Sequence, residues 1–138
     1  MSELTGGAIK NRFLCVLCLS LLATAGAAFA HHSSAMFDGN KVVTLVGEIK
    51  EFDWTNPHCA IVIEVPDGKG GVAEWSVEGG SPNTMVNHGW RRSILKPGDK
   101  VSITIFPLKN GEKGGTFLRC KFPDGREMVM FENPKVIQ

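Results

Sequence analysis

The sequence predicts a mainly β protein whose strands form one small barrel. Short segments of alternating apolar and polar residues are separated by turns rich in glycine and proline, a pattern typical of antiparallel strands. The first segment is long and has a central glycine, and one short segment of helical character follows the third. Three strands, a helix and further strands in that order are typical of the OB-fold, a partly open barrel. We therefore expect a five- to six-stranded OB-like barrel with one short helix after strand three.

The first predicted strand, residues 42–54, is the longest. Val43, Leu45 and Ile49 share one face of it, as the two-residue period of a strand requires. Gly47 interrupts the segment near its middle. A long strand with a central glycine can bend between the two halves of a small barrel, so Gly47 is assigned a structural role.

Five further segments have the strand pattern and are bounded by turn residues. They are residues 58–65, 72–78, 100–107, 116–122 and 127–131. Residues 96–99 predict a type II turn, and the glycine-rich residues 109–115 predict a loop. A β-sandwich with the same number of strands is the alternative architecture. The single helix after strand three makes it the weaker one.

The helical segment is predicted at residues 83–88. Ser81 is a good N-cap, Pro82 suits the first helical position, and Gly89 can end the helix. Trp90 follows this glycine directly. We therefore expect its side chain to fill the apolar space under the barrel, and a position in a binding groove is the less favoured alternative.

The residues before the helix have two interpretations. Glu78 and Gly80 are first interpreted as the end of a strand and a sharp turn that leads into the Ser81 cap. The second interpretation is an anion site at the helix N-terminus. The negative charge of Glu78 and the missing N–H of Pro82 count against it.

Residues 1–30 have the features of a secretory signal peptide. Lys10 and Arg12 precede an apolar stretch at residues 13–22, and a run of small residues ends at Ala30. Retention of this segment as a membrane anchor is the alternative, which the weakly apolar residues at its end disfavour.

Cleavage of that segment predicts a periplasmic or secreted protein with no membrane association. The mature chain would comprise an N-terminal arm, residues 31–41, and a barrel domain, residues 42–138. The full chain has 15 basic and 14 acidic side chains, and loss of Lys10, Arg12 and Glu3 leaves equal numbers. This balance argues against a partner such as nucleic acid or an anionic membrane, whose binding depends on clustered basic residues.

The cysteines fall into two pairs. Cys15 and Cys18 lie in the apolar part of the signal segment, so their spacing carries no redox meaning. Cys59 and Cys120 alternate with apolar residues and are predicted to face the interior. A disulfide between them would stabilise the fold by about 4 kcal/mol in the chain-entropy model. Two free buried thiols that pack as small apolar side chains are the alternative.

Five short motifs occur in a fixed order along the mature chain. They are His31-His32-Ser33, Trp54-Thr55-Asn56-Pro57-His58, Glu78-Gly79-Gly80-Ser81-Pro82-Asn83, Gly89-Trp90 and Leu95-Lys96-Pro97-Gly98-Asp99. With these motifs the chain resembles the small exported bacterial proteins of domain-of-unknown-function family 6152. The resemblance implies an exported β-barrel in which these residues matter, and it implies no particular activity. It also implies ordinary apolar residues at the positions of Cys59 and Cys120.

Histidine gives the best chemical signal. Cleavage after Ala30 would place His31 and His32 at the new N-terminus, where an amine and an imidazole lie together. With His58 from the loop between strands one and two, they could form a nitrogen site that suits copper(II). Cleavage after Ala28 would instead place His31 third, an arrangement that also suits square-planar copper.

The structural alternative for the histidines is simpler. His31 and His32 would form a flexible polar arm, His58 would cap a strand, and His88 would complete the helix surface. No spacing among the histidines beyond the adjacent pair forces a shared face.

The segment from Trp54 to His58 is the second candidate binding surface. Trp54, Asn56 and Pro57 could line a shallow groove for a sugar or peptide, because the loop between strands one and two borders the usual ligand face of this fold. The partner would be a periplasmic protein or a small ligand, without a metal. The structural alternative for Trp54 is a position at the edge of the core.

Recognisable catalytic motifs are missing from the sequence. It has no Gly-x-Ser-x-Gly elbow, no His-Glu-x-x-His pair and no phosphate-binding loop ending in Gly-Lys-Ser/Thr. Asp53 and His58 could form an acid–base pair, but no nucleophile completes a triad. The sequence therefore favours a binding or accessory protein over an enzyme.

Overall fold

Six strands and one short helix make up residues 35–131, the part of the chain that the computed structural model describes. The elements are β1 (Val43–Asp53), β2 (Ala60–Pro66), β3 (Val72–Glu78), α1 (Pro82–Asn87), β4 (Lys100–Pro107), β5 (Gly114–Lys121) and β6 (Glu127–Val129). The predicted signal peptide, His31 and His32 lie outside the described residues.

The strands form a single sheet that closes on itself. Their order is β3-β2-β1-β4-β5-β6, and neighbouring strands pair antiparallel. A parallel pairing of Ser76–Glu78 with Gly114–Thr116 joins β3 to β5 and closes a five-stranded barrel. The sixth strand pairs with β5 outside that ring. This is the OB-fold connectivity, so the predicted fold class is confirmed and the sandwich is excluded.

The first strand belongs to both halves of the barrel. Its residues Val43–Glu48 pair with β4, and from Glu48 to Asp53 it pairs with β2. Gly47 lies where the pairing partner of β1 changes from β4 to β2. A Cβ atom on Gly47 would lie 2.1 Å from the carbonyl oxygen of Glu64. Only glycine allows the two backbones to cross this closely, which is the physical reason for the predicted bend.

The fifth strand begins earlier than the sequence predicts. Residues 109–115 have the composition of a loop, but Gly114 and Gly115 are the first residues of β5 and pair with β3. A Cβ atom on Gly115 would lie 2.4 Å from the carbonyl oxygen of Phe106. These glycines allow the strands to pack closely where the barrel closes. From composition alone, glycines in such a strand cannot be distinguished from glycines in a turn.

The core fills the barrel with apolar side chains from every strand of the ring. Its fully buried members include Ile61, Ile63, Val77, Ile103, Ile105 and Phe117. Cys59 and Cys120 are also fully buried, and both are free thiols. The predicted inward orientation of both cysteines is therefore observed, and of the two states left open by the sequence the structure has the reduced one.

Helix α1 covers one end of the barrel. The hydroxyl of Ser81 accepts a hydrogen bond from the Thr84 N–H at 3.2 Å, which satisfies one donor of the first turn. Pro82 occupies the first turn and Gly89 has a φ of +85°, which ends the helix as expected. Met85 points into the core and is fully buried. Within residues 35–131 no helix is both long and apolar enough to cross a membrane.

Candidate functional site

The loop between β1 and β2, residues 54–59, is fastened to the turn that follows β3. The N–H of Cys59 donates to the carbonyl of Gly80 at 2.9 Å, and the N–H of Gly79 donates to the carbonyl of Cys59 at 2.8 Å. The exposed residues of this loop therefore stand beside the end of β3. We call the surface formed by Trp54, Asn56, Pro57, His58, Glu78 and Arg92 the β1–β2 loop face.

An imidazole–carboxylate pair is the chemically distinctive feature of the loop face. Nδ1 of His58 lies 3.0 Å from Oε1 of Glu78, and the two side chains are 44% and 36% exposed. The contact arises from strand register, because Glu78 pairs with Ala60 two residues after His58. A ring that donates through Nδ1 has its Nε2 lone pair directed away from the carboxylate, the arrangement that orients histidine ligands in metal sites.

Sequence reasoning missed this role of Glu78. It assigned Glu78 to the end of a strand and considered Asp53 as the acidic partner of His58. In the structure the contact of His58 is with Glu78. The usable signal was the β2–β3 hairpin, whose register places the residues before Ala60 next to the end of β3.

Trp54 is held in place from two sides. Its carbonyl accepts a hydrogen bond from Nη2 of Arg92 at 3.2 Å, a contact that the sequence did not suggest. Its ring meets Phe52 edge to face with centroids 5.5 Å apart. Phe52 in turn contacts Trp90, and Trp90 contacts Phe117 at 5.0 Å. An aromatic series thus runs from the loop face into the core, where Trp90 is fully buried.

Asn56 and Pro57 form the outermost part of the loop. Both side chains are exposed, and the peptide bond between them is cis. Together with His58 they present an uninterrupted exposed segment next to the partly buried Trp54.

The thiol of Cys59 lies directly beneath the loop. Burial raises its pKa, and a backbone hydrogen bond from Thr55 offsets part of this rise. Cys120 is enclosed more completely, and burial raises its pKa to about 12. Both thiols are therefore neutral at physiological pH and serve as packing groups, not as nucleophiles.

The histidines of the described chain do not gather into one site. His88 caps α1, where its Nδ1 lies 2.9 Å from the carbonyl oxygen of Thr84. Within residues 35–131 no group of three or more His, Cys, Asp or Glu side chains is placed to hold a metal ion. His58 is thus the described member of the predicted copper site, while His31 and His32 lie outside the described residues.

Fold and loop face together define a small OB-type barrel that carries an exposed histidine–glutamate pair beside an anchored tryptophan. The chain belongs to the family of unknown function DUF6152, whose model matches residues 18–118. The matched region contains β1–β4 and the whole β1–β2 loop face, and it ends within β5, before Cys120. Comparisons with curated proteins and with solved structures found no match.

Proposed function

We propose that this protein is an exported binding module that acts through the β1–β2 loop face, with His58 as its ligating residue. The observation that carries the proposal is the His58–Glu78 contact of 3.0 Å. A carboxylate that holds one ring nitrogen fixes the orientation of the other. Binding is favoured over catalysis because the thiol next to this pair, that of Cys59, is buried and neutral.

Copper(II) is the proposed ligand. His58 supplies one imidazole, and the amine and imidazoles of a mature N-terminus at His31 and His32 supply the others. Copper(II) has the highest affinity of the common divalent metals for such nitrogen donors and prefers a tetragonal arrangement of them. A free amine at His31 for this site exists only after cleavage following Ala30.

Copper titration of chains that begin at His31 tests the metal proposal. Binding is followed by isothermal titration calorimetry and by electron paramagnetic resonance, which reports the number of nitrogen ligands. We expect His58→Ala to bind more weakly and to lose one nitrogen from the spectrum. His88→Ala removes an exposed histidine elsewhere on the barrel and is the matched control. Identical spectra for His58→Ala and the unmodified chain would refute a role of His58.

Glu78→Gln tests whether the carboxylate positions the ring. The amide retains an acceptor for Nδ1–H but lacks the charge, so copper should bind about tenfold more weakly, the lower end of measured second-shell effects. The nitrogen count should stay the same, since no ligand is removed. A shift of the copper g values at an unchanged nitrogen count would mean that an oxygen of Glu78 itself ligates the metal.

Export is a separate part of the proposal, with its own measurement. Intact mass of the protein recovered from the periplasmic fraction distinguishes cleavage after Ala28 from cleavage after Ala30, and elemental analysis of the same sample reports bound metal. Recovery of the uncut chain from the membrane or cytoplasmic fraction would overturn both the location and the N-terminal copper ligands.

A metal-free interaction module is the second candidate. The anchoring of Trp54 by Arg92 and Phe52 favours it, because a rigid aromatic group beside exposed polar residues suits recognition of a protein or small ligand. Capture of periplasmic partners by the unmodified protein and by an Asn56→Ala/His58→Ala variant tests this candidate. Loss of partners with no change in metal content would support it, and loss of metal would support the copper proposal.

A further inference from the structure

The loop between β4 and β5 contains an asparagine followed by a glycine, Asn110-Gly111, and residues 109–113 are all exposed. Oδ1 of Asn110 accepts a hydrogen bond from the N–H of Glu112 at 3.0 Å. Gly111 has a φ of +82°, which glycine adopts without strain, and a Cβ atom on it would meet nothing within 4 Å. The backbone nitrogen that follows Asn110 therefore has no side chain beside it.

Two further turns within residues 35–131 have the same hydrogen bond, with aspartate in the first position. Oδ1 of Asp67 accepts from the N–H of Lys69 at 2.7 Å, and Oδ1 of Asp124 accepts from the N–H of Arg126 at 2.9 Å. The glycines in the middle of these turns have φ values of +74° and +88°. A carboxylate therefore forms this turn as an amide does, because only the accepting oxygen is used.

The backbone nitrogen of Gly111 is the nucleophile that lies next to the Asn110 amide. Its N–H donates to the carbonyl of Leu108 at 3.4 Å, a long and therefore weak hydrogen bond. The N–H of Glu112 is directed at Oδ1 of Asn110, where negative charge develops when a nucleophile attacks Cγ, and it stabilises that charge. Reacting groups held within one short segment also have a high effective concentration.

We propose that Asn110 is a self-modification site, at which the side-chain amide is converted to a carboxylate with water as the co-reactant. The Gly111 nitrogen loses its proton and forms a bond to Cγ of Asn110. The C–N bond of the side-chain amide breaks, and its nitrogen takes up a proton and leaves as ammonia. Water then attacks Cγ of the cyclic imide and breaks the new N–Cγ bond. The peptide is restored, an aspartate remains, and the loop gains one negative charge.

The barrel closure favours aspartate over isoaspartate as the product. Isoaspartate forms when water attacks the main-chain carbonyl carbon of the imide, and it lengthens the backbone by one carbon. Both ends of the loop are fixed, because the N–H of Leu108 donates to Gly114 at 3.0 Å and the carbonyl of Lys113 accepts from Ser76 at 3.1 Å. A longer backbone would disturb these bonds, whereas aspartate keeps the turn observed at Asp67.

The other asparagines within residues 35–131 lack this arrangement. One of them precedes Pro57, which has no N–H to lose. The others are followed by residues with side chains, which hinder the approach of the backbone nitrogen to Cγ, and two lie in α1, where the backbone is fixed by helix geometry. These four residues are Asn40, Asn56, Asn83 and Asn87.

Incubation of the folded protein for days at mildly alkaline pH, followed by peptide mapping with mass spectrometry, tests the proposal. We expect Asn110 to be converted before the other four asparagines. Electron-transfer fragmentation distinguishes aspartate from isoaspartate, and the share of aspartate should be larger in the folded protein than in the same protein incubated in concentrated urea. Asn110→Gln is the control and should stay unmodified, because its reaction requires closure of a larger ring.

Asn110→Asp tests whether the product keeps the turn. Its urea midpoint at neutral pH should equal that of the unmodified protein. Backbone N–H groups, that of Lys69 first, lower the pKa of Asp67 in the corresponding turn, so the new carboxylate should also titrate below the ordinary range of aspartate. The amide resonance of Glu112 in ¹⁵N spectra should therefore shift as this carboxylate is protonated, as that of Lys69 does for Asp67.

Three outcomes would overturn the inference. One is conversion of Asn110 no faster than that of Asn40, and another is conversion in urea but not in the folded protein, because the turn would then protect the amide. The third is a Glu112 amide in Asn110→Asp that does not respond to acid, because the product would then have lost the turn. None of these measurements involves copper or the β1–β2 loop face, so this proposal and the proposed function fail independently.

Discussion

Gly47 shows how much of the barrel depends on a single missing side chain. A Cβ atom there would meet the Glu64 carbonyl at 2.1 Å, and that atom is backbone, which cannot rotate away. The position decides both the bend of β1 and the point at which β1 leaves β2.

Gly47→Ala should therefore lower the free energy of unfolding by about 2 kcal/mol or more, the usual cost of forcing extra volume into a packed site. Urea denaturation followed by circular dichroism measures this change. Gly39→Ala is the control, because a Cβ atom at Gly39 has no neighbour within 4 Å. Equal stability of the two variants would show that the crossing of β1 and β2 can relax without cost.

Cys120 makes the stability sensitive to alkaline pH. Its pKa rises from 9.0 to about 12 in the folded protein because the thiol is buried. Below pH 9 the thiol is neutral in both the folded and the unfolded state. Its titration therefore does not lower the free energy of unfolding in that range. Above that pH the unfolded chain loses the proton and the folded chain retains it, which favours unfolding by about 1.4 kcal/mol per pH unit.

Comparison of urea midpoints at neutral and alkaline pH checks this expectation. The unmodified protein should lose stability more steeply above pH 9 than Cys120→Ala, which lacks the titrating group but is less stable at neutral pH by about 1 kcal/mol or more. Parallel pH profiles for the two proteins would contradict the assignment. Rapid labelling of Cys120 by a thiol reagent in the folded protein would contradict its burial.

His58 and Glu78 illustrate what residue types alone can indicate. His58 was a candidate ligand from its place at the end of a loop, and in the structure its side chain is exposed. Residue types alone did not choose its partner, since Asp53 is close to His58 in the chain and Glu78 is close to it in the expected sheet. Register between β2 and β3 selected Glu78.

At the scale of elements, helix α1 depends on its cap more than on its length. It spans only Pro82–Asn87, and so short a helix has little stability of its own. The Ser81 hydroxyl satisfies the Thr84 N–H, and Met85 fixes the helix to the core.

Ser81→Ala should cost about 1 kcal/mol in the free energy of unfolding, the typical value for loss of an N-cap. Ser93→Ala changes an exposed serine in the segment between α1 and β4 and should cost less than about 0.5 kcal/mol. Thermal or urea unfolding of both variants measures the difference. If Ser81→Ala is no less stable than Ser93→Ala, the cap is dispensable in the folded barrel.

The element boundaries show where sequence patterns lose precision. Alternation placed β3 and β4 correctly, because apolar side chains must face the core at every second position. It failed at Gly114 and Gly115, which have no side chain and so cannot show a period. Their role became visible only when β3, β4 and β5 met at the closure.

At the scale of the whole molecule, the closed sheet predicts one cooperative transition. Each strand of the ring pairs with two neighbours, so no strand of the ring can leave without opening the barrel. The core is also continuous, since residues from the ring strands and α1 belong to one cluster.

Tryptophan fluorescence and far-ultraviolet circular dichroism should therefore give the same urea midpoint. Trp54, Trp75 and Trp90 all pack in or against the core and report its loss, while circular dichroism reports the strands. Gly115→Ala disturbs the closure and should shift both curves together to lower urea. A fluorescence transition that precedes the loss of strand signal would mean that the barrel opens in stages.

The sequence alone determined the fold class, the inward side of β1 to β4, the capped helix and an apolar environment for both cysteines. These features follow from local periods and from the conformational limits of glycine, proline and serine, which act over a few residues. Only the tertiary structure decided the reduced state of Cys59 and Cys120, the Glu78 partner of His58 and the Arg92 contact with Trp54. Each of these depends on the register and crossing of whole strands, which periods of a few residues do not specify.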